Sequence, residues 1–248
     1  MRKIEGKNPV IEALKNDVQI DRILVSKELA EGNVSKIITL AKEKNVLIKY
    51  VDKAALTKLS ENGRHQGIIA QALEYEYKEV EDILEYANTK GEKPFIIILD
   101  EITDVHNLGA IIRSAECLGA HGVIIPKRRA AGVNAIVSKS SAGAVEYLPI
   151  ARVTNISQTI KQLKEKGLWI YGAHMDGEKY IYEEDFNGPI GLVIGSEGSG
   201  ISRLVKENCD TLVKIPMKGN INSLNASCAA SIIIYEVVKK RGQWNAKD

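Results

Sequence analysis

Apolar and polar positions switch between two periods along the chain, and the switching predicts an α/β protein. Gly6 to Lys15, Val34 to Lys44 and Lys53 to Leu59 follow a helical period, whereas Arg22 to Val25, Val46 to Val51 and Gly67 to Leu73 read as strands. Together they make a small α/β unit. Glu74 to Lys93 breaks the pattern: it is acidic, contains Asn88-Thr-Lys-Gly91 and ends before Pro94, so it is expected to be a charged linker with one helical stretch near Ile83 to Ala87. The expected division is residues 1–75, a linker at 76–92 and a second domain at 93–248.

Alternation restarts with Phe95-Ile-Ile-Ile-Leu99, an apolar run too short for a buried helix and suited to a central parallel strand. Further strands are predicted at Gly122 to Ile125, Val145 to Ile150, Leu168 to Ala173, Ile190 to Ile194 and Thr211 to Ile215. Helices are predicted at Leu108 to Leu118, Val133 to Ser140, Ile156 to Lys166, Ser202 to Asn208 and Ser223 to Arg241. Such a β-α succession folds as a parallel sheet.

Composition narrows the class. With 248 residues, 44% hydrophobic and 27% charged, the chain has the profile of a globular protein. Its apolar runs fall far short of the roughly 20 residues a membrane span needs. The start, Met-Arg-Lys-Ile-Glu-Gly, lacks an apolar export signal, and Cys117, Cys209 and Cys228 have no metal-like spacing, so a reduced cytoplasm is expected. A net charge of +2 does not by itself announce a nucleic-acid binder. The charge is unevenly placed, however. Ile125 to Arg152 carries Lys127, Arg128, Arg129, Lys139 and Arg152 against Glu146 alone, which suits either phosphate contact or a solvated basic loop.

Three polar, glycine-rich segments stand near the ends of predicted strands, where loops of an α/β sheet gather a ligand site. They are Asn107-Leu-Gly-Ala-Ile-Ile-Arg113, Ile194-Gly-Ser-Glu-Gly-Ser-Gly200 and Ile215-Pro-Met-Lys-Gly-Asn-Ile-Asn-Ser-Leu-Asn225. The second is G-x-x-G-x-G, not the dinucleotide fingerprint G-x-G-x-x-G, which counts against a nicotinamide oxidoreductase, and no phosphate-binding P-loop motif is present. Its glycines suit a tight turn with positive φ, which leaves Glu197 unexplained. Asn107 suits a helix cap or a ligand contact. Arg113 suits an ion pair with Glu116 or a fixed guanidinium contact to phosphate or hydroxyl. Small residues after Asn222 permit close approach of a helix or a flat ligand. His65, His106, His121 and His174 are scattered, so each reads as structural and no metal site is expected.

The three segments, in this order, resemble the motifs of the SpoU (TrmH-type) branch of the SPOUT ribose methyltransferases. The likeness extends to Gly6-Lys-Asn-Pro-Val-Ile-Glu-Ala-Leu14 and Arg64-His-Gln-Gly67, which resemble that family's N-terminal substrate-binding domain. With Ile125-Pro-Lys-Arg-Arg129, the arrangement is most similar to 23S rRNA guanosine-2′-O-methyltransferases acting on the peptidyl-transferase P loop. The resemblance implies an α/β fold: a C-terminal parallel-sheet SPOUT domain with a deep trefoil knot, and a small N-terminal L30e-like domain. It also implies S-adenosylmethionine as cofactor, rRNA as partner, a homodimer with the final helix at its interface, and no metal. By position it assigns Gly195, Ile215, Met217 and Leu224 to the cofactor, and Asn107, Arg113, Glu197, Ser223 and Asn225 to catalysis. Arg113 would contact the ribose hydroxyl, Asn107 would hold Arg113 or the ribose, and Glu197 would anchor the arginine or the target guanine. Arg64, His65, Lys127, Arg128 and Arg129 would bind RNA. Relatives acting on tRNA, resistance-type rRNA methyltransferases and a non-catalytic RNA-binding protein share the pattern and remain the alternatives.

Overall fold

The computed structural model describes residues 2–15, 18, 20–29, 34–60, 63, 65–72, 75–220 and 223–242. The chain divides into two units, residues 1–76 with 134–136, and residues 77–133 with 137–248.

In the first unit, β1 (Arg2–Glu5), α1 (Lys7–Lys15), β2 (Ile20–Ser26), α2 (Ser35–Glu43), β3 (Leu47–Val51), α3 (Lys53–Leu59) and β4 (Ile68–Ala72) follow one another. They build a four-stranded sheet of order β1-β4-β2-β3. Strands β2 and β3 are parallel, while β4 runs antiparallel to both β1 and β2. The two-residue period of the strands sorts their side chains. Ile23, Val25, Ile68 and Ala70 pack with Val10, Leu14, Ile37 and Ala41 of α1 and α2, whereas Leu24 and Ile69 face Leu56 of α3. Strand β1 was not predicted: Arg2-Lys-Ile-Glu5 has one apolar residue, and its backbone ladder to β4 makes the strand.

The second unit begins with α4 (Val80–Thr89), longer than the stretch predicted inside the supposed linker. A capping box starts it, with the Glu79 N–H donating to Asp82 Oδ2 at 2.8 Å. Its Ile83 enters a core with Ile96, Ile98, Ile124, Ile160 and Ile170. A Cβ on Gly122 would fall 2.5 Å from Ile83, so that glycine makes room for the helix.

There follow β5 (Phe95–Asp100), α5 (Val105–Cys117), β6 (Gly122–Pro126), α6 (Ala135–Ser140), β7 (Ile150–Val153) and α7 (Ile156–Glu165). The chain ends with β8 (Trp169–Ala173), β9 (Lys179–Tyr180), β10 (Ile190–Gly195), α8 (Arg203–Asn208), β11 (Thr211–Lys214) and α9 (Ala226–Arg241). The strand predicted over Val145 to Ile150 lies later, because left-handed Ala142 and Gly143 lead into a 3-10 turn at Ala144–Glu146. The unpredicted β9 is only two residues long.

The seven strands form an all-parallel sheet of order β7-β6-β5-β10-β8-β11-β9. Strands β5, β6 and β7 step outward one way, and the chain then returns to fill the other side. The reversal lies beside β5, where β10 is inserted. At such a switch point the loops beyond the carboxyl ends diverge and open a crevice.

Candidate active site

Strands β5 and β10 pair in register as far as Asp100 and Gly195, so the loops that follow them leave the sheet side by side. The buried Asp100 ties the two together, accepting from the Ser202 N–H at 2.7 Å.

Gly195 starts a loop that folds back on itself. Ser196 N–H donates to Gly200 O at 3.1 Å, and Gly200 N–H returns to Ser196 O at 2.9 Å. The three glycines there differ, and the predicted positive φ applies to Gly200 alone, at 65°. Gly195 is required by proximity, because a Cβ would lie 2.1 Å from Gly200 C. Gly198 meets nothing within 4 Å, so neither packing nor backbone conformation in the chain itself asks for glycine there.

Helix α5 starts three residues before the prediction, and Asp104 caps it by accepting from the His106 and Asn107 N–H groups, both at 2.8 Å. Asn107 therefore does not serve as the cap. Its Nδ2 donates to Glu197 Oε1 at 2.9 Å, and its Oδ1 accepts from Asn225 Nδ2 at 3.0 Å. Asn225 Nδ2 also donates to Glu197 Oε1, which accepts weakly from the Ala226 N–H at 3.4 Å. Asn225 is at the same time the N-cap of α9, its Oδ1 accepting from the N–H groups of Ser227 and Cys228 at 3.0 and 3.3 Å. One side chain from each polar segment thus joins a closed triangle.

Beside the triangle lies a cavity of about 630 Å³. Gly195, Glu197, Ile215, Met217, Ser223 and Leu224 line it together with residues after β8. Met217 and Leu224 stay 41% and 37% exposed, apolar surface for a ligand to cover. A second cavity, of about 400 Å³, lies on the other side of Glu197 and is lined by Glu101, Thr103, Asn107 and Arg129 among others.

Arg113 is elsewhere. It is exposed on α5, lines neither cavity, and makes no hydrogen bond or ion pair among the described residues, so the pairing with Glu116 is absent. Asn107 and Glu197 hold Asn225 and each other, not Arg113.

The basic run follows β6 and is exposed at Lys127, Arg128 and Arg129. Arg129 Nη1 lies 3.4 Å from Glu101 Oε1. His65, expected to touch RNA, is instead buried. Its Nδ1 accepts from the Gly67 N–H at 3.1 Å and its Nε2 sits 3.3 Å from Thr57 Oγ1, so both ring nitrogens serve the turn into β4. Arg64 and Asn222 lie outside the described residues.

Sequence reasoning missed the wall after β8. His174, read as structural, lines the larger cavity with Met175 and Asp176; its Nδ1 accepts from the Asp176 N–H at 3.1 Å. A place just past the carboxyl end of a parallel strand was the available signal. His121 is structural: its Nδ1 accepts from the Phe95 N–H, and burial lowers its pKa although Glu92 opposes the shift. Among the described residues no group of His, Cys, Asp and Glu is arranged to hold a metal, and no helix is long and apolar enough to cross a membrane.

The chain is similar to known proteins over almost its whole length. Residues 94–235 match the sequence model of the SpoU rRNA Methylase family, and residues 3–78 match that for RNA 2′-O ribose methyltransferase substrate binding. YacO of Bacillus subtilis (strain 168), named for the TrmH family of tRNA/rRNA methyltransferases, is 47% identical over 236 residues, covering 95% of this chain and 94% of YacO. The SpoU methyltransferase AviRb of Streptomyces viridochromogenes, crystallised with the cofactor AdoMet, is 27% identical with a TM-score of 0.63, covering 96% of this chain and 90% of AviRb. A TrmH/SpoU tRNA modifying enzyme of A. aeolicus is also 27% identical, with a TM-score of 0.57 over 66% of this chain and 84% of its own.

Proposed function

The chain belongs to the SpoU rRNA methylase family, and from that membership we propose that it methylates a guanosine ribose 2′-hydroxyl of 23S rRNA, in the peptidyl-transferase P loop, using S-adenosylmethionine. The observation that carries the proposal is the Asn107–Glu197–Asn225 triangle beside the 630 Å³ cavity.

The cavity fits the cofactor. Its volume lies within the range of about 300–1,000 Å³ usual for small-molecule sites. The bare Gly198 leaves open space along it, and Met217 and Leu224 offer apolar surface. Gly195, Ile215, Met217 and Leu224 would hold the group. When bound, it supplies an electrophilic methyl carbon whose leaving group is a neutral thioether, so the chemistry asks for an aligned oxygen that can lose its proton.

The triangle fixes the loop that carries Glu197 against the starts of α5 and α9, and Ser223 shapes the adjoining wall. The Arg113 guanidinium is a hydrogen-bond donor only, which suits orienting the hydroxyl or a neighbouring phosphate better than removing a proton. Because it is exposed and has no partner among the described residues, it is available to a second copy. We therefore infer a homodimer in which α9 lies at the interface and Arg113 completes the partner subunit's site. The inferred reading includes a trefoil knot around β10 and β11. Lys127 and Arg128 would contact phosphates, which position RNA without reading its sequence.

The test is transfer of labelled methyl from S-adenosylmethionine to protein-free 23S rRNA and to bulk tRNA, with nucleoside analysis and Arg113→Ala alongside. The proposal expects 2′-O-methylguanosine in the rRNA, lost in the variant. Label in tRNA alone would move the substrate to tRNA, the reading favoured by the likeness to the A. aeolicus enzyme. Cofactor binding without label in either RNA would leave an assembled ribosomal substrate or a non-catalytic protein.

A further inference from the structure

We propose that the 400 Å³ cavity is the base subsite of this enzyme and that Glu101 reads guanine there, an inference that rests on the methyl-transfer reading above.

The cavity shares Ser196, Glu197, Gly198, Ser199 and Ala226 with the larger one, so only the Glu197 loop separates the two. A nucleotide whose ribose reaches the methyl-transfer position has its base within one glycosidic bond of that wall. Each of the three carboxylates around the smaller cavity has one oxygen engaged, but by contacts of unequal strength. Asp104 Oδ1 is used in capping α5, and Glu197 Oε1 is used by Asn107 and Asn225. Glu101 has one partner among the described residues, Arg129 at a long 3.4 Å. Its loop is held in place, because the Ala131 N–H donates to Ile102 O at 2.8 Å and so ties the Arg129 loop to the Glu101 loop.

A carboxylate offers two acceptor oxygens side by side. Guanine is the base whose Watson–Crick edge answers with adjacent donors, N1–H and the 2-amino group. Adenine and cytosine each present a ring acceptor there, and uracil flanks its one N–H with carbonyls. Arg129 completes the match, since a guanidinium suits the O6 and N7 acceptors of guanine. Glu101 (φ 58°) and Arg129 (φ 56°) both occupy left-handed backbone that glycine would adopt without strain. Asn45, Gln66 and Ala142 share that backbone elsewhere in the chain, so the strain accompanies the pair and does not by itself mark the site.

The test is NMR titration of the full-length protein, with and without S-adenosylhomocysteine, using guanosine, inosine and adenosine 5′-monophosphates. Inosine lacks only the 2-amino group. The guanosine nucleotide is expected to bind about tenfold tighter than the other two. Glu101→Gln should abolish that preference. Glu101→Gly should abolish it as well while melting no lower than the wild type, because glycine relieves the left-handed strain; loss of preference is then not loss of fold. Equal or undetectable binding of the three nucleotides, or a preference that survives Glu101→Gln, overturns the proposal. Methyl transfer is scored separately. Guanine preference without methyl transfer sinks the catalytic reading and keeps the subsite, and methyl transfer without guanine preference does the reverse.

Discussion

Alanine substituted at Gly195 and at Gly198 should give opposite results, although the two positions are three residues apart in one loop. At Gly195 the added carbon would lie 2.1 Å from Gly200 C, 2.2 Å from Gly200 O and 2.3 Å from Ile201 N. Carbon contacts settle near about 3.5 Å, so the facing backbone must retreat by more than about 1 Å. The preceding residues of β10 are buried between β5 and β8 and cannot yield, which leaves the displacement to residues 196–200. Both bonds between Ser196 and Gly200 would break. At about 1 kcal/mol each, their loss amounts to roughly 2 kcal/mol, within the range of about 1–3 kcal/mol for overpacking. For a chain of this size that lowers Tm by roughly 4–8 °C. Because the same loop carries Glu197, a shift of about 1 Å should also reduce methyl transfer on the order of 100-fold. At Gly198 a Cβ meets nothing, so Gly198→Ala should stay within about 0.5 kcal/mol of the wild type. It narrows both cavities, however, and should weaken S-adenosylmethionine binding by itself. Thermal melting and isothermal titration of the two variants decide the matter. A Gly195→Ala protein with wild-type Tm and affinity would refute the reasoning, as would an equally destabilised Gly198→Ala protein.

Asn225→Ala should lower stability by about 1 kcal/mol through loss of the α9 cap, whereas Asn225→Asp keeps a capping oxygen but sets a carboxylate against Glu197. Both should lose methyl transfer, and activity that follows melting temperature instead would reduce Asn225 to a cap. Arg128→Glu with Arg129→Glu should weaken RNA binding in a filter assay while S-adenosylmethionine affinity holds; unchanged RNA affinity would remove this run from the interface. Arg241, at the end of α9, donates to the carbonyls of Phe186, Lys93, Pro94 and Gly188 at 2.9, 3.0, 3.3 and 2.6 Å. Arg241→Met should therefore cost on the order of 2–3 kcal/mol in a denaturant titration, with cofactor affinity unchanged because these carbonyls precede β5 and β10 instead of following them. Burial pushes the Cys209 thiol up to about 12, so its reactive thiolate is scarce below that pH and grows only as pH rises towards it. Alkylation at pH 8 followed by mass spectrometry should find Cys209 the slowest of the three cysteines until the protein is unfolded.

Side-chain periodicity determined most of the elements. The buried run from Phe95 to Leu99 announced a central parallel strand, and the helical period over Ile156 to Lys166 matches α7, because burial on one or both faces leaves its period in the sequence. Elements made by backbone pairing or capping left weaker traces. Strand β1 has one apolar residue, and the start of α5 depends on Asp104, one of several polar residues able to cap it.

The site divides the same way. The residue types of the three polar segments pointed to a ligand site at strand ends, and their order carried the resemblance to a family. The sequence could not say which of those residues meet. Asn107, Glu197 and Asn225 stand 90 and 28 positions apart and are joined only because β10 inserts beside β5 and α9 starts against their loops. The same folding buries His65, brings His174 to the larger cavity, sets Glu101 opposite Arg129, and leaves Arg113 exposed on α5. Local pattern records which face of an element is buried; contacts between loops depend on strand order, which a pattern of period two or 3.6 does not encode.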